Sequence, residues 1–180
     1  MKYSMRGNVD PFIVMDVMEN ARKAEEGGRK IIHMEVGQPS TAAPSGALER
    51  TSQIIKSNPL GYTVALGLPE LRKKISDLYG RWYNLDIDPS RVIITSGSSG
   101  AFILSFTALF EEGARVGIGA PGYPSYRQIL KSLGISPVDI VTNVKNKFQP
   151  TAKDVVSQNL DGLLVASPSN PTGTMLSKDE

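Results

Sequence analysis

Hydrophobic and polar positions in the first half of the chain follow a helical period in three segments, each bounded by proline or glycine. Residues 11–26, for example, repeat apolar side chains every three or four positions and end at Gly27 and Gly28, as helix punctuation requires. Two short apolar runs outside these segments are typical of strands. The predicted helices are 11–26, 46–57 and 69–84, and the predicted strands are 31–36 and 91–95.

The second half alternates strand patterns with helix patterns, joined by short connections. Its predicted strands are 114–119, 137–142 and 162–166, and its predicted helices are 101–112, 124–133 and one that opens at the capping box Thr151–Asp154. This alternation predicts an α/β fold, a mostly parallel sheet with helices on both faces. The first 45 residues differ in texture and are predicted to form an N-terminal arm or part of a second lobe.

Composition excludes several classes of function. The net charge of +2 gives no strong basic field for nucleic acid or an anionic membrane. The absence of cysteine excludes disulfides and thiolate metal sites, and the single histidine, His33, makes a histidine-rich metal site or a serine–histidine triad hard to build. The N-terminus has no secretory pattern, and the longest apolar stretch, 101–110, is too short to span a bilayer. We therefore expect a cytoplasmic protein without a metal.

Four loops of small or polar residues lie near or after the ends of predicted strands, where open parallel sheets bind their ligands. In the first of them, Ser98 and Ser99 offer hydroxyls at a helix N-terminus, which suit a phosphate. An ordinary strand-to-helix turn with serine caps fits these residues equally well. The four loops are 96–100, 120–126, 142–147 and 167–174.

Two of these loops carry further candidate groups. Tyr123 and Tyr126 could stack a ring on a planar ligand, or simply pack against neighbouring helices. Two prolines frame Asn170 and would hold its amide in a fixed place, although the same residues also form unremarkable turns. His33 is predicted to lie on a strand, packed or facing solvent.

Residues 117–122 match the pattern G-x-G-x-x-G, with Asp139 about twenty residues further on, as a dinucleotide-binding fingerprint requires. The context fits poorly, because the first two glycines fall inside a predicted strand and Pro121 removes a backbone donor. Asp139 also lies in the middle of a predicted strand. A nucleotide-binding oxidoreductase domain is therefore kept only as an alternative hypothesis.

Taken together, five motifs in order and spacing resemble the pyridoxal-phosphate aminotransferases of class I and II, most closely the bacterial aspartate-type branch. The resemblance covers essentially the whole chain. It implies pyridoxal 5'-phosphate as cofactor, an amino acid and a 2-oxo acid as substrates, and a homodimer with shared sites. The motifs are VGQP, GYTVALGLPELRKKI, TSGSSGAF, PGYPSY and SNPTG.

The resemblance also implies roles for individual residues. Gly37 corresponds to the glycine beside the substrate carboxylate, and Tyr62 to a tyrosine that reaches the cofactor phosphate of the neighbouring subunit. Ser98 and Ser99 correspond to the phosphate-binding turn. Some members carry a lysine at the position of Ser99 that reads a side-chain carboxylate, so the serine argues against a preference for acidic substrates.

Two more residues complete the implied site. Tyr123 corresponds to the aromatic residue stacked on the pyridine ring, and Asn170 to the asparagine that donates a hydrogen bond to the ring's phenolic oxygen. Both are also expected to border the substrate.

The resemblance further implies that the catalytic groups of the family lie elsewhere. Its cofactor-binding lysine, the aspartate at the pyridine nitrogen and the arginine that clamps the substrate follow the asparagine loop by more than the ten residues present here. We therefore expect the N-terminal half of an enzyme, inactive alone, with residues 1–45 in the arm and small domain and 46–180 in the large cofactor-binding domain. A helix start at 177–180 agrees with this expectation. Alternatives are a related C–S lyase or decarboxylase, and a non-catalytic subunit.

Overall fold

A computed structural model describes residues 3–180 and divides them into two compact units. One unit combines the N-terminal residues up to Val17 with Ser96–Glu180, and the other comprises Met18–Thr95. The helices are α1 (Ile13–Glu26), α2 (Ser45–Ser57), α3 (Pro69–Tyr83), α4 (Gly97–Leu109), α5 (Pro124–Ser132) and α6 (Ala152–Val156), and the strands are β1 (Arg115–Ala120), β2 (Ser136–Val141) and β3 (Gly162–Leu164).

The three strands form one parallel sheet in the order β2-β1-β3. Strand β1 is central and pairs with β2 from Arg115 opposite Ser136 to Ala120 opposite Val141. On its other side it pairs with the shorter β3, where Ile118 lies opposite Leu164. The predicted α/β fold with a parallel sheet is therefore confirmed.

The hydrophobic core lies on one face of β1. Val116 and Ile118 point to this face because alternate strand residues share a side. They pack with Phe106 from α4, Leu130 from α5 and Ile135 just before β2, all at most 5% exposed. This cluster fixes α4 and α5 against the sheet, and with them the loops at the strand ends.

The opposite face of β1 is lined by glycines. A Cβ placed on Gly117 would lie 2.6 Å from Cδ1 of Leu160, which leaves no room for a larger residue. At Gly119 the nearest neighbour is Pro150, at 3.8 Å from such a Cβ. The segment that carries α6 therefore covers this face, as a right-handed return from β2 to β3 requires.

In the Met18–Thr95 unit, helix α3 holds the chain that follows it. The guanidinium Nε of Arg72 donates to the carbonyl of Val92 at 2.7 Å, and the hydroxyl of Ser76 donates to the carbonyl of Ile87. Asn84 ends the helix in the left-handed region at φ 53°. The predicted helices 46–57 and 69–84 are thus confirmed within one residue at each end.

Neither of the two strands predicted in the first half forms within residues 3–180. Residues 31–36 pair with no strand among the described residues, and the side chains of Ile32 and Met34 are more than 80% exposed. In the segment 91–95, Ile94 donates one backbone bond to Leu66 but joins no ladder. A short apolar run becomes a strand only where a neighbouring strand can satisfy its backbone groups.

Three boundaries in the second half also differ from the prediction. Helix α4 begins at Gly97, four residues earlier than expected, because the small residues there enter the first turn instead of forming a separate loop. It ends at Leu109, and β3 stops at Leu164. At residues 177–180 the backbone N–H of Ser177 donates to Glu180 at 2.8 Å, which is half of a capping box. Across residues 3–180, no helix combines the length and apolar character needed to cross a membrane.

Candidate functional site

A small cavity of about 20 Å³ lies at the carboxyl ends of β1 and β3. The chain passes from β1 to one neighbour and then returns to the other, so the strand order reverses at this point, where open α/β sheets bind ligands. Such a volume holds one water molecule and no ring. Its walls are Gly119, Pro121, Gly122, Tyr126, Phe148, Gln149, Pro150, Leu164, Ala166, Ser169 and Asn170.

Asn170 lies on the wall of this cavity, in the loop after β3. The loop folds back on itself, because the N–H of Gly173 donates to the carbonyl of Ser169 at 2.7 Å and the N–H of Ser169 donates to that of Thr174 at 2.9 Å. Gly173 adopts a φ of 68°, which favours glycine. The Asn170 amide is exposed and makes no hydrogen bond with residues 3–180, so it is available to a ligand.

Tyr123 follows the cavity residues of the β1 loop directly and occupies the position before the first residue of α5. Its ring is half-buried and meets two others edge to face, Phe12 at 6.2 Å and Tyr126 at 5.4 Å between centroids. Before it, a Cβ on Gly122 would collide with the carbonyl of Gly119, so the turn requires glycine. The Tyr123 ring is therefore held at a fixed position near the carboxyl end of β1.

Ser98 and Ser99 lie in the first turn of α4, exposed to solvent. Their hydroxyls make no hydrogen bond with residues 3–180, and the side chain of Ser96 forms no capping bond. No acidic residue occupies this turn, so the positive end of the helix dipole is not neutralised by a side chain of its own turn. These two serines do not line the cavity.

The remaining two predicted site residues belong to the Met18–Thr95 unit. Gly37 lies in an exposed loop, and apart from its two chain neighbours no described residue comes within 4 Å of a Cβ built on it. Tyr62 also lies in irregular chain, and its side chain is fully exposed. Within their unit, neither residue is buried against its neighbours.

Gln149 is a residue of this site that the sequence analysis missed. It is 4% exposed, and its side-chain Nε2 donates to the carbonyls of Ala166 at 3.2 Å and Thr174 at 2.9 Å. Thr142, also buried, donates its hydroxyl to the carbonyl of Ala120 at 2.9 Å. Both side chains therefore form hydrogen bonds that hold loop segments at the carboxyl end of the sheet. Nothing local in the sequence marks them, because their partners are 17 to 25 residues away.

His33 lies outside this cavity, in the other unit. It is not on a strand, and half of its side chain is exposed. Nδ1 lies 2.7 Å from Glu35 Oε1, and Nε2 lies 3.0 Å from Glu25 Oε1. The carboxylates of Glu35 and Glu25 raise the pKa of His33. Among residues 3–180, no group of three or more histidines and carboxylates is placed to hold a metal ion.

The dinucleotide hypothesis finds no support in the geometry. Gly117 and Gly119 are inside β1, where a Cβ on Gly117 would collide with Leu160, whereas one on Gly119 would only touch Pro150. Asp139 is inside β2 and forms an ion pair with Arg127 of α5. The glycines of this pattern therefore belong to β1 and to the turn that follows it.

The chain belongs to the class I and II aminotransferases: residues 29–180 match the model of the family "Aminotransferase class I and II". Enzymes of this family depend on pyridoxal phosphate. The resemblance drawn from the five motifs is therefore confirmed.

Individual relatives agree with this assignment. The valine–pyruvate aminotransferase of Mycobacterium tuberculosis is 41% identical over 181 residues, which cover 99% of this chain and 47% of that protein. A solved aminotransferase structure from the same organism superposes with a TM-score of 0.94, at 41% identity, over 100% of this chain and 47% of that one. A structure from Silicibacter pomeroyi, assigned as an aminotransferase, gives a TM-score of 0.88 at 59% identity, over 99% of this chain and 46% of that one. The chain thus spans about half the length of these relatives.

Proposed function

We propose that the complete enzyme carrying this sequence transfers an amino group between an amino acid and a 2-oxo acid, with pyridoxal 5'-phosphate as cofactor. The observation that carries the proposal is the family match over residues 29–180 together with an unpaired Asn170 amide at the point where the strand order reverses. When bound, the cofactor supplies the electron sink that stabilises negative charge at the substrate α-carbon.

The phosphate is bound by Ser98 and Ser99. Their hydroxyls and their backbone amides present donors at the positive end of the α4 dipole, and no carboxylate in that turn competes for them. A helix of 13 residues is long enough for this dipole to develop. The donor set therefore fits a phosphate dianion.

Tyr123 and Asn170 orient the ring. Contacts with Phe12 and Tyr126 restrict the Tyr123 ring, so it offers a flat apolar surface without a large loss of side-chain entropy. The Asn170 amide donates to the phenolic oxygen. Because the cavity itself accepts only a water molecule, the ring lies against its outer wall.

Assembly and location complete the proposal. The full exposure of Tyr62 supports a role across a homodimer interface, where its hydroxyl reaches the phosphate in the neighbouring subunit. Gly37 adjoins the substrate carboxylate, and Tyr123 and Asn170 border the substrate. The enzyme is cytoplasmic, with residues 1–45 in the arm and small domain and 46–180 in the large domain.

Binding to the chain itself tests the proposal. We expect pyridoxal 5'-phosphate to shift the ¹⁵N–¹H signals of Ser98, Ser99 and the Asn170 side chain, and pyridoxal without phosphate to leave the serine signals in place. The double variant Ser98→Ala, Ser99→Ala should bind at least about tenfold more weakly, since a hydrogen bond to a charged group contributes roughly 1.5–3 kcal/mol. Ser105→Ala, at an exposed position of the same helix, is the matched control.

Two results would overturn the proposal. One is a set of cofactor-induced shifts that avoids α4 and the Asn170 loop altogether. The other is tight binding of NAD at residues 117–122 with no response to pyridoxal phosphate, which would restore the dinucleotide hypothesis.

The amino donor is neutral and aliphatic. A serine at position 99 supplies no positive charge for a side-chain carboxylate, and the 41% identical relative from M. tuberculosis is a valine–pyruvate aminotransferase. In a longer polypeptide that carries this sequence, valine with pyruvate should therefore turn over faster than aspartate with 2-oxoglutarate. The reverse order would refute this substrate class and leave cofactor binding unaffected.

A further inference from the structure

Gln149 is a buried polar residue without a part in the proposed cofactor contacts. It lies between the 3-10 turn Val144–Asn146 and α6, and its backbone N–H donates to the carbonyl of Asn146 at 2.9 Å. Lys147 and Phe148 before it both adopt left-handed backbone conformations, with φ of 53° and 56°. This sharp bend turns the glutamine side chain inward, where it is 4% exposed and forms part of the cavity wall.

The Gln149 amide closes the base of the Asn170 loop. Its Nε2 donates to the carbonyl of Ala166 at 3.2 Å on one side of the loop. On the other side it reaches the carbonyl of Thr174 at 2.9 Å and the Thr174 hydroxyl at 3.3 Å. One buried amide group therefore links the two ends of the segment 167–173, in which Asn170 is the central polar residue.

The other side-chain hydrogen bonds of the loop are local: the N–H of Leu176 donates to the Ser167 hydroxyl at 2.9 Å, and the hydroxyls of Thr172 and Thr174 lie 2.9 Å apart. Gln149 adds bonds from a separate segment of the chain. The carbonyl of Thr174 also accepts the N–H of Ser169, so the same carbonyl joins the loop's internal turn to Gln149. Without the donor, the carbonyls of Ala166 and Thr174 would lose a bond in a part-buried place, which costs more than an exposed bond would. The Asn170 side chain makes no bond with the described residues, so only the backbone of its loop fixes its position.

We propose that Gln149 is a positioning residue that holds the Asn170 amide in place for the cofactor's phenolic oxygen. This inference rests on the proposed function for the identity of the ligand. The closing of the loop by Gln149 is independent of that identity. Gln149 itself contacts neither the cofactor nor the substrate in this proposal, and it acts through its hydrogen bonds to the loop.

Three variants of the 180-residue chain test the proposal. Gln149→Leu removes the donor at nearly constant size, and Gln149→Glu replaces the donor with an acceptor until its carboxyl is protonated. Gln128→Leu is the matched control, a glutamine of α5 whose side-chain oxygen is buried without a partner. Hydrogen-exchange protection factors of Ser169 and Gly173 report on the loop, and that of Ile118 in β1 reports on the fold.

We expect Gln149→Leu to reduce the protection of Ser169 and Gly173 at least about tenfold, the equivalent of one buried hydrogen bond, with Ile118 unchanged. Gln149→Glu should behave in the same way near neutral pH and recover protection on acidification, when the carboxyl again donates. Gln128→Leu should leave the loop as it is. Unchanged protection in Gln149→Leu, or an equal loss at Ile118, would overturn the proposal.

Addition of pyridoxal 5'-phosphate separates positioning from a general structural role. In Gln149→Leu the shift of the Asn170 side-chain signal should fall by half or more, while the shifts of Ser98 and Ser99 persist. An Asn170 shift identical to that of the unmodified chain would overturn the positioning role. If the unmodified chain shows no shift at either place, the proposed function fails, and the exchange data alone then decide whether Gln149 closes the loop.

Discussion

His33 and two carboxylates form a hydrogen-bonded cluster that depends on the charge of one imidazole. Both ring nitrogens lie within 3.0 Å of a carboxylate oxygen, so both must donate, which only the protonated ring can do. The bond with Glu35 makes the largest contribution to the raised pKa of His33, followed by that with Glu25. The same bond lowers the pKa of Glu35.

The cluster should therefore respond to pH in a defined direction. Because folding raises the pKa of His33, the protonated ring stabilises the native state. This stabilisation is fully present below about pH 6.5, the pKa of histidine in the unfolded chain, and it is lost as the pH rises through the pKa of His33 in the native state. We expect an NMR titration of the single histidine to give a pKa above 6.5, and Glu35→Gln to move it down. At acidic pH, the contribution of the ionised Glu35 carboxylate to native-state stability is lost as the pH falls through the lowered pKa of Glu35.

Substitution of Asp16 provides a control for this titration, since it is exposed and absent from the cluster. Asp16→Asn should leave the His33 titration in place. A native pKa of 6.5 or lower for His33 would contradict the hydrogen-bonded geometry.

Some residues of the candidate site could be predicted from the sequence and others could not, because only some of them are marked by neighbouring residues. Asn170 could be found because its two flanking prolines and its place after a strand are local signals. Gln149 could not, since its function comes from carbonyls 17 and 25 residues away. Ser98 and Tyr123 could be found as candidates from their places near strand ends, whereas the role of Tyr62 came from the family resemblance alone. All three roles remain predictions about a bound ligand.

Among the elements, α6 shows how a short helix is stabilised by its first turn. It has only five residues, and it begins at the capping box predicted from sequence. The hydroxyl of Thr151 and the carboxylate of Asp154 are 2.6 Å apart, and the N–H of Thr151 donates to Asp154 at 2.9 Å. The hydrogen bonds from Thr151 lower the pKa of Asp154.

Removal of this cap should loosen the helix. Thr151→Ala is expected to destabilise it by about 1 kcal/mol, a typical loss for an N-cap, and to reduce the exchange protection of Val155 roughly fivefold. Because the pKa of Asp154 is lowered on folding, protection in the unmodified chain should also be lost as the pH falls through that value. Thr107→Ala, an exposed change in α4, should have no such effect, and equal protection in Thr151→Ala would contradict the role of the cap.

Predicted strands were correct where the structure supplies a neighbouring strand. Strands β1 and β2 pair with each other along their whole length, and their bounds were predicted within one residue. The segments 31–36 and 91–95 are also apolar runs that end at glycine-containing turns, but they form no strand among the described residues. Pairing is a property of two segments, so a pattern in one of them cannot establish it.

On the scale of the whole molecule, many large apolar side chains are exposed. Leu104 and Leu109 of α4 are 59% and 71% exposed, and Val141 at the end of β2 is 76% exposed. Helix α4 is apolar around its circumference, which is typical of a helix that is covered on all sides. Exposed apolar surface of this extent favours association with other polypeptide. The relatives that the chain matches are about twice as long as it is.

The isolated chain should therefore bind hydrophobic dyes and self-associate. We expect 8-anilinonaphthalene-1-sulfonate fluorescence to rise on mixing, and sedimentation velocity to show association that grows with concentration. The pair Leu104→Lys and Leu109→Lys should reduce both effects, whereas Thr107→Lys, which adds a charge at an already polar position of the same helix, should change them less. A monomer that unfolds in one cooperative transition without dye binding would contradict this expectation.

The unit that contains the sheet is discontinuous in sequence, and this has a consequence for synthesis on the ribosome. Lys131 of α5 binds Asp10 at 2.5 Å, and the ring of Tyr123 meets Phe12, so the N-terminal segment docks on residues made more than a hundred positions later. Closing so long a loop is slow compared with forming local contacts. The segment that carries Asp10 and Phe12 leaves the exit tunnel before its partners and is thus placed late, after the intervening residues 18–95 have emerged and begun to fold.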